Sequence, residues 1–510
     1  MNINGKILQY LITLSAVFLL SAVAVECRAG TTVNPRLEKK ILDVLERYGE
    51  DPADWGVQVR SMVSGDDLVH LNSGRRYMPA SNLKLLITAV ALDRLGADFR
   101  WRTTVMADGA VDTAGVLDGD LVLRGSGDPT ISNRFWPSVQ SGWDSLAAQV
   151  EAAGISRIRG RLLADNSLFK APYLADGWGW EDLSWWYAAP ASPLSYNDNT
   201  IDVQVWPDRT VGKKPRVEVK PENSPFTIAN LASTVARRVD SRLIIGRPTP
   251  GGEISLSGGI YHGSLGYTEH VAVSEPGRFA AEALADALAR RGIRIDGPVV
   301  LLGPDDGEPA YLDRSPSLLG QITSPPLSDI VRVINKRSHN FYAEQLLFTL
   351  GAVAGSEGSF AGGIDVEERL LKRIGVDTRQ IRLEDGSGLS RLNLVTTEMF
   401  VKLLAWMDTH ELREQFVSSL PVAGRDNGVR QLRGTPAAGR LFAKTGYISS
   451  VMALSGYTWT GDGEKVVFSL LGNNWLMPNS RARRIIRDLC LEIVQSRRTV
   501  GISDELELRP

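Results

Sequence analysis

The sequence predicts an α/β (α+β) fold in which one outer domain is split by a long insertion that folds into two smaller domains. Three observations carry this reading. A helix and two strand-like stretches open the folded chain, three strands and a helix close it, and 510 residues exceed what one ordinary core organises. The composition, 43% hydrophobic and 23% charged with a formal net charge of −2, is that of a globular protein with no basic excess for a nucleic-acid partner.

Residues 7–25 run without a charge after Lys6 and end in small residues. Residues 1–29 are therefore expected to be a signal peptide cleaved after Ala24 or Ala29, with a retained transmembrane helix as the competing reading. Glu26 directly before Cys27 argues against a lipoprotein. Loss of Cys27 would leave Cys490 alone, so no disulfide is expected.

Leu37, Ile41, Leu42 and Leu45 are spaced for an amphipathic helix over Pro35–Tyr48, and Trp55–Met62 and Leu68–Leu71 read as strands. Ser81-Asn-Leu-Lys84 then opens an apolar run to Leu92, a buried helix with Ser81 in its first turn. Further on, strands at Trp101–Met106 and Leu117–Leu123 find their return in a helix over Gly277–Arg291 and a strand at Val299–Leu302. Residues 125–270 are richer in Gly and Pro, with one helix near Trp143–Ala153. Phe442–Lys444, Val451–Trp459 and Lys465–Leu471 read as strands joined by Gly/Asp turns, and Ser480–Gln495 as a closing helix with Cys490 in the core. The outer domain is thus expected at 30–100 and 306–510, one inserted domain at 101–124 and 271–305, and the other at 125–270.

Three motifs carry chemistry. In Ser-x-x-Lys a helix puts an amine beside a hydroxyl, and an amine whose pKa is lowered by burial can take the hydroxyl proton. The motif occurs at Ser81/Lys84 and again at Ser167/Lys170, but the second is followed at once by Ala171-Pro172, which breaks a helix. Ser-x-Asn occurs at Ser195/Asn197, in a loop-like stretch, and at Ser338/Asn340, between two apolar helical patterns where polar groups are costly unless used. Lys444-Thr445-Gly446 lies on a predicted strand, where glycine lets a ligand backbone pass close and Lys444 offers charge to a carboxylate. The order Ser81/Lys84, Ser338/Asn340, Lys444–Gly446, each in its proper context, points to an active-site serine enzyme. Lys84 is expected neutral and Lys444 protonated. His70, His262, His270, His339 and His410 show no metal-ligand spacing, and His339 reads as a spacer.

On these motifs the chain resembles the class C low-molecular-mass penicillin-binding proteins, the D-alanyl-D-alanine carboxypeptidase/endopeptidase family known as peptidase family S13. Gly127-Asp-Pro-Thr130, Ser324-Pro-Pro-Leu327, Asp385-Gly-Ser-Gly-Leu-Ser-Arg391 and Leu420-Pro-Val-Ala-Gly424 match as well. The resemblance implies a penicillin-binding transpeptidase-like domain, an antiparallel sheet flanked by helices, carrying the two insertions. It implies an exported serine hydrolase of the periplasm or cell envelope that cuts peptidoglycan stem peptides and cross-links through an acyl-enzyme and is acylated by β-lactams. Ser81 would be the nucleophile, Lys84 its base, and Ser338 and Asn340 the proton shuttle and amide grip. Lys444 and Thr445 would bind the terminal carboxylate, beside Gly446, with the backbone N–H groups of Ser81 and Tyr447 as oxyanion hole. Asp165 and Arg391 resemble positions that read the diamino-acid side chain. Tyr447 departs from the family's usual Ser or Thr after the glycine, which bears on carboxylate preference. The resemblance calls for no cofactor and no metal, and leaves room for peripheral membrane association. The alternatives are a non-catalytic β-lactam-sensing or peptidoglycan-binding protein of the same fold, and a β-lactamase.

Overall fold

The computed structural model describes residues 34–49, 53–222, 226–246 and 252–498; the expected signal peptide and Cys27 lie outside them. No helix among the described residues is long and apolar enough to cross a membrane.

The two ends of the chain build one five-stranded antiparallel sheet in the order Phe442–Ile448, Val451–Trp459, Lys465–Asn473, Asp54–Ser61, Asp67–Leu71. Val451–Trp459 and Lys465–Asn473 are buried along nearly their whole length, because side chains alternate between two covered faces. Ala453, Tyr457, Val467 and Leu471 join a core with Leu85 and Met399, whereas Leu454, Val466, Phe468 and Leu470 join one with Leu37, Ile485 and Ile493.

Helix Pro35–Arg47 begins where the Asn34 side chain accepts from Leu37 N at 3.1 Å, with proline in the first turn where no N–H is needed. It buries Leu37, Ile41 and Val44 and meets the closing helix Asn479–Gln495 through Tyr48 and Asp488, 2.8 Å apart. Cys490 is buried in that closing helix. Helix Lys84–Leu95 runs through the other core with every residue from Lys84 to Leu92 buried, and stops at Gly96 in a left-handed conformation.

The insertion carries its own sheets. A seven-stranded one contains Arg102–Val111, Val116–Arg124, Leu162–Asp165 and Val299–Leu302, and also Ser317–Thr323, which pairs with Arg102–Val111. Strand pairing therefore joins Arg157–Ile158 and Leu162–Asp165, expected in the 125–270 unit, and Ser317–Thr323, expected in the 306–510 unit, to this sheet. Two smaller sheets, of three and four strands, occupy 200–272.

Candidate active site

Ser81 lies on a 3₁₀ turn, Ala80–Leu83, that runs directly into helix Lys84–Leu95, so it precedes the α-helix rather than sitting in its first turn as expected. Ala80 holds φ at 45°, a left-handed conformation that costs a non-glycine residue about 1–2 kcal/mol. The loop beneath fixes it there. Gly388 (φ +81°) comes so close that a Cβ on it would stand 1.9 Å from the Ala80 carbonyl oxygen.

Lys84 is 0% exposed, and its Nζ reaches three oxygens: Ser81 Oγ at 2.9 Å, Asn340 Oδ1 at 2.8 Å and the Ser387 carbonyl at 2.6 Å. The last acceptor is held from behind. Glu344 accepts from Gly386 N and Ser387 N, both at 2.9 Å, and Asp385 accepts from Gly388 N, Ser390 N and Asn393 Nδ2. Burial lowers the Lys84 pKa to about 7, against the pull of Glu344 and Asp385, which raise it. Burial, helped by Asp385, pushes the Glu344 carboxyl up. If two Lys84 protons go to Asn340 and Ser387, its remaining position faces Ser81, where a neutral amine carries its lone pair.

Ser338 occupies a left-handed turn (φ 58°, ψ 41°) between helices Leu327–Arg337 and Asn340–Ala354, which aims its hydroxyl at the Lys444 strand. Lys444, also 0% exposed, donates to Ser338 Oγ at 2.9 Å and to the Thr445 carbonyl at 2.6 Å. Burial and the neighbouring Lys84 hold Lys444 well below the ordinary lysine range. Opposite charges on the two lysines therefore do not follow from the free site, contrary to expectation. A bound carboxylate beside Lys444 would restore its proton.

Asn340 donates through Nδ2 to the Tyr187 carbonyl at 2.7 Å, tying the 178–187 aromatic loop to the site. Trp178 donates to Asp385 at 2.8 Å, while Trp180 is 63% exposed. Gly446 faces the nucleophile turn. A Cβ there would lie 2.6 Å from the Pro79 carbonyl oxygen and 3.1 Å from Ser81 N, so no side chain fits. Tyr447 turns its side chain the other way: it is 45% exposed, its hydroxyl accepts from Asn479 Nδ2 at 2.5 Å, and Arg483 lies 5.9 Å from its ring. Tyr447→Phe removes only that outer bond. It should leave penicillin acylation and D-alanine release within about twofold of the parent rates, and a larger loss measured in either assay would put the hydroxyl in the site.

The structure thus joins Ser81, Lys84, Ser338, Asn340, Lys444 and Gly446 in one place. Arg391 donates to the Ser449 carbonyl at 3.1 Å, two residues beyond Tyr447. Asp165 is buried at a strand end, accepts from Ser167 N, Ser167 Oγ and Tyr311 Oη, and pairs with Arg124; its hydrogen bonds and ion pair thus go to the insertion and not to Ser81, Lys84, Ser338, Asn340 or Lys444. The duplicate motifs are structural too. Lys170 pairs with Glu357 at 2.8 Å rather than with Ser167; Ser195 Oγ donates to the Ser192 carbonyl and accepts from Gln345 Nε2, and Asn197 donates to the Thr200 carbonyl. His339 is buried against Asp198 and Arg134. Among the described residues no group of His, Cys, Asp and Glu could hold a metal.

The sequence reading missed Glu344 and the Ser387 carbonyl as parts of the site. A carboxylate one turn after Asn340, inside an otherwise apolar helix, is the signal that could have found the first.

A family model described as "D-Ala-D-Ala carboxypeptidase 3 (S13) family" matches residues 37–492. The chain is 34% identical over 450 residues to a D-alanyl-D-alanine carboxypeptidase of Actinomadura sp. (strain R39), covering 86% of this chain and 81% of that protein. It is 26% identical over 409 residues to the D-alanyl-D-alanine carboxypeptidase DacB of Haemophilus influenzae, covering 78% and 80%. The crystal structure of penicillin binding protein 4 from Haemophilus influenzae superposes with a TM-score of 0.78 at 22% identity, over 89% of this chain and 99% of that one, which establishes the penicillin-binding transpeptidase-like fold.

Proposed function

Because the chain belongs to the D-Ala-D-Ala carboxypeptidase 3 (S13) family, and is a serine D-alanyl-D-alanine carboxypeptidase, we propose that Ser81 attacks the D-alanyl carbonyl with Lys84 as its base. The observation that carries this assignment is the position of Lys84 Nζ, within hydrogen-bond distance of Ser81 Oγ and Asn340 Oδ1 at once. Ser81 Oγ gives its proton to Lys84 as its bond to carbon forms. The oxyanion is met by the backbone N–H groups of Ser81 and Tyr447. The leaving amine takes its proton by way of Ser338, and D-alanine departs. Water then attacks the acyl-enzyme and returns the proton to Ser81. Lys444 and Thr445 hold the substrate carboxylate, and Arg391 is assigned to the diamino-acid side chain of the peptide.

The substrate is peptidoglycan, both stem-peptide termini and D-alanyl cross-links. Penicillin acylates the same serine, and its tethered leaving group slows the escape of the acyl. A relative supports this: penicillin binding protein 4 of Haemophilus influenzae has been solved complexed with a β-lactam. The protein is exported to the periplasm or envelope with residues 1–29 removed, and the insertion comprises two smaller domains that share a core, with Arg157–Ile158, Leu162–Asp165 and Ser317–Thr323 counted in the first.

Two measurements test this. Incubation with fluorescent penicillin should give a stable adduct together with D-alanine release from a peptide ending in D-alanyl-D-alanine. A label without peptidase activity would indicate a sensor, and rapid loss of label with penicillin turnover a β-lactamase. Mass analysis of the native protein should find an N-terminus after Ala24 or Ala29; an intact Met1–Val25 segment would mean a membrane anchor.

A further inference from the structure

Beside the site lies a basic groove of about 440 Å³ between the end of helix Leu327–Arg337 and the 425–430 loop. Arg332 and Arg337 come from the helix, Arg425 and Arg430 from the loop, and all four are exposed. The one ion pair inside the groove joins Lys336 to Asp426 at 2.7 Å. None of the four guanidinium groups has a carboxylate within ion-pairing distance among the described residues. The chain as a whole carries a net charge of −2, so this concentration does not follow from composition. Four like charges around one concavity repel each other unless an anion joins them, and a guanidinium fork suits a carboxylate.

The groove also has a defined position. Arg337 directly precedes Ser338. Gly428 sits so close to the Lys-Thr-Gly strand that a Cβ on it would lie 2.8 Å from Thr445 Oγ1. The basic surface therefore begins where the assigned site receives the carboxylate of the leaving residue. A terminal D-alanine ends there. When the D-alanyl bond is internal, the leaving group is a second peptide, which must continue past Thr445.

We propose that this groove is a leaving-group subsite that binds the outlying free carboxylates of the departing strand when the D-alanyl bond is internal. The inference rests on the assignment of Lys444 and Thr445 to carboxylate binding and extends that site outward.

The test compares three substrates that share one acyl part: a peptide ending in D-alanyl-D-alanine, a cross-linked peptide with free carboxylates along its leaving strand, and the same cross-linked peptide with those carboxylates amidated except the one next to the scissile amide, which Lys444 and Thr445 receive. In the Arg332→Gln/Arg430→Gln variant, kcat/KM for the acidic cross-linked peptide should fall about tenfold, the loss expected for one charge-assisted contact. Its decline with added salt should flatten, as the screened attraction is gone. D-alanine release and penicillin acylation should be unchanged. Amidation should cost the parent enzyme a similar factor and the variant nothing. Equal losses on all three substrates, no loss on the acidic one, or indifference to amidation would overturn the inference. A parent enzyme that releases D-alanine but leaves the cross-linked peptide intact would overturn it while sparing the carboxypeptidase assignment, and absence of both acylation and D-alanine release would overturn both.

Discussion

Ser81→Ala is expected to abolish penicillin labelling and D-alanine release while the fold persists, and Ser167→Ala to change neither. Removing the attacking oxygen closes the covalent path, a loss of about 10⁶ in serine hydrolases of the triad type. The two serines stand in different surroundings. Ser81 has an amine at 2.9 Å and lies beside Gly446, whereas Ser167 donates to Asp165 and its Lys170 is committed to Glu357. The change at Ser81 takes one oxygen from a half-buried turn, which the helix behind it does not need, so thermal unfolding should shift little. Mapping the adduct by peptide mass decides the matter. A label on Ser167, or full labelling of Ser81→Ala, would remove Ser81 as the nucleophile.

How far the site was legible in the sequence follows from what is local. Ser81/Lys84, Ser338/Asn340 and Lys444–Gly446 are short motifs whose spacing within a helix, a helix junction and a strand already dictates which side chains face each other. The helices Pro35–Arg47 and Pro276–Arg290 and the strand Val299–Leu302 fall within a few residues of their expected spans, because apolar periodicity is also local. What could not be read is set by long-range pairing. Asp165 belongs to a strand bracketed by Val116–Arg124 and Val299–Leu302, and that register turns its carboxylate into the insertion. The same pairing moves Leu162–Asp165 into the larger inserted sheet. Glu344 acts through a backbone segment distant in sequence, so its pattern shows that it is buried and charged but not what it holds.

Lys84 should govern the acid side of the rate profile. Its folded pKa is depressed to about 7, first by burial, so the amine is protonated below that pH and neutral above it. Acylation needs the neutral form; kcat/KM for penicillin and for a D-alanyl-D-alanine peptide should therefore rise through pH 7 and flatten beyond. A fall at high pH belongs to Lys444 in the complex, where the bound carboxylate holds its proton; it should therefore appear in kcat, and only with substrates that carry that carboxylate. Of the titratable groups near Lys84, the carboxyls of Glu344 and Asp385 raise its pKa, so they oppose the burial that sets the limb rather than create it. Lys84→Met keeps the length of the stem in a fully buried slot and removes the proton acceptor, and Lys84→Arg keeps a charge that cannot be given up near neutrality. Either should slow acylation by about 10²- to 10⁴-fold, the range for loss of a positioned base. The overpacked arginine should also lower the melting temperature, with a core overpacking cost of about 1–3 kcal/mol. Stopped-flow acylation across pH separates the effects, since a fold defect lowers the active fraction and leaves the profile's shape, whereas loss of the base flattens the acid limb. Near-normal acylation in Lys84→Met, or a parent profile with no inflection near pH 7, would assign the base to another group.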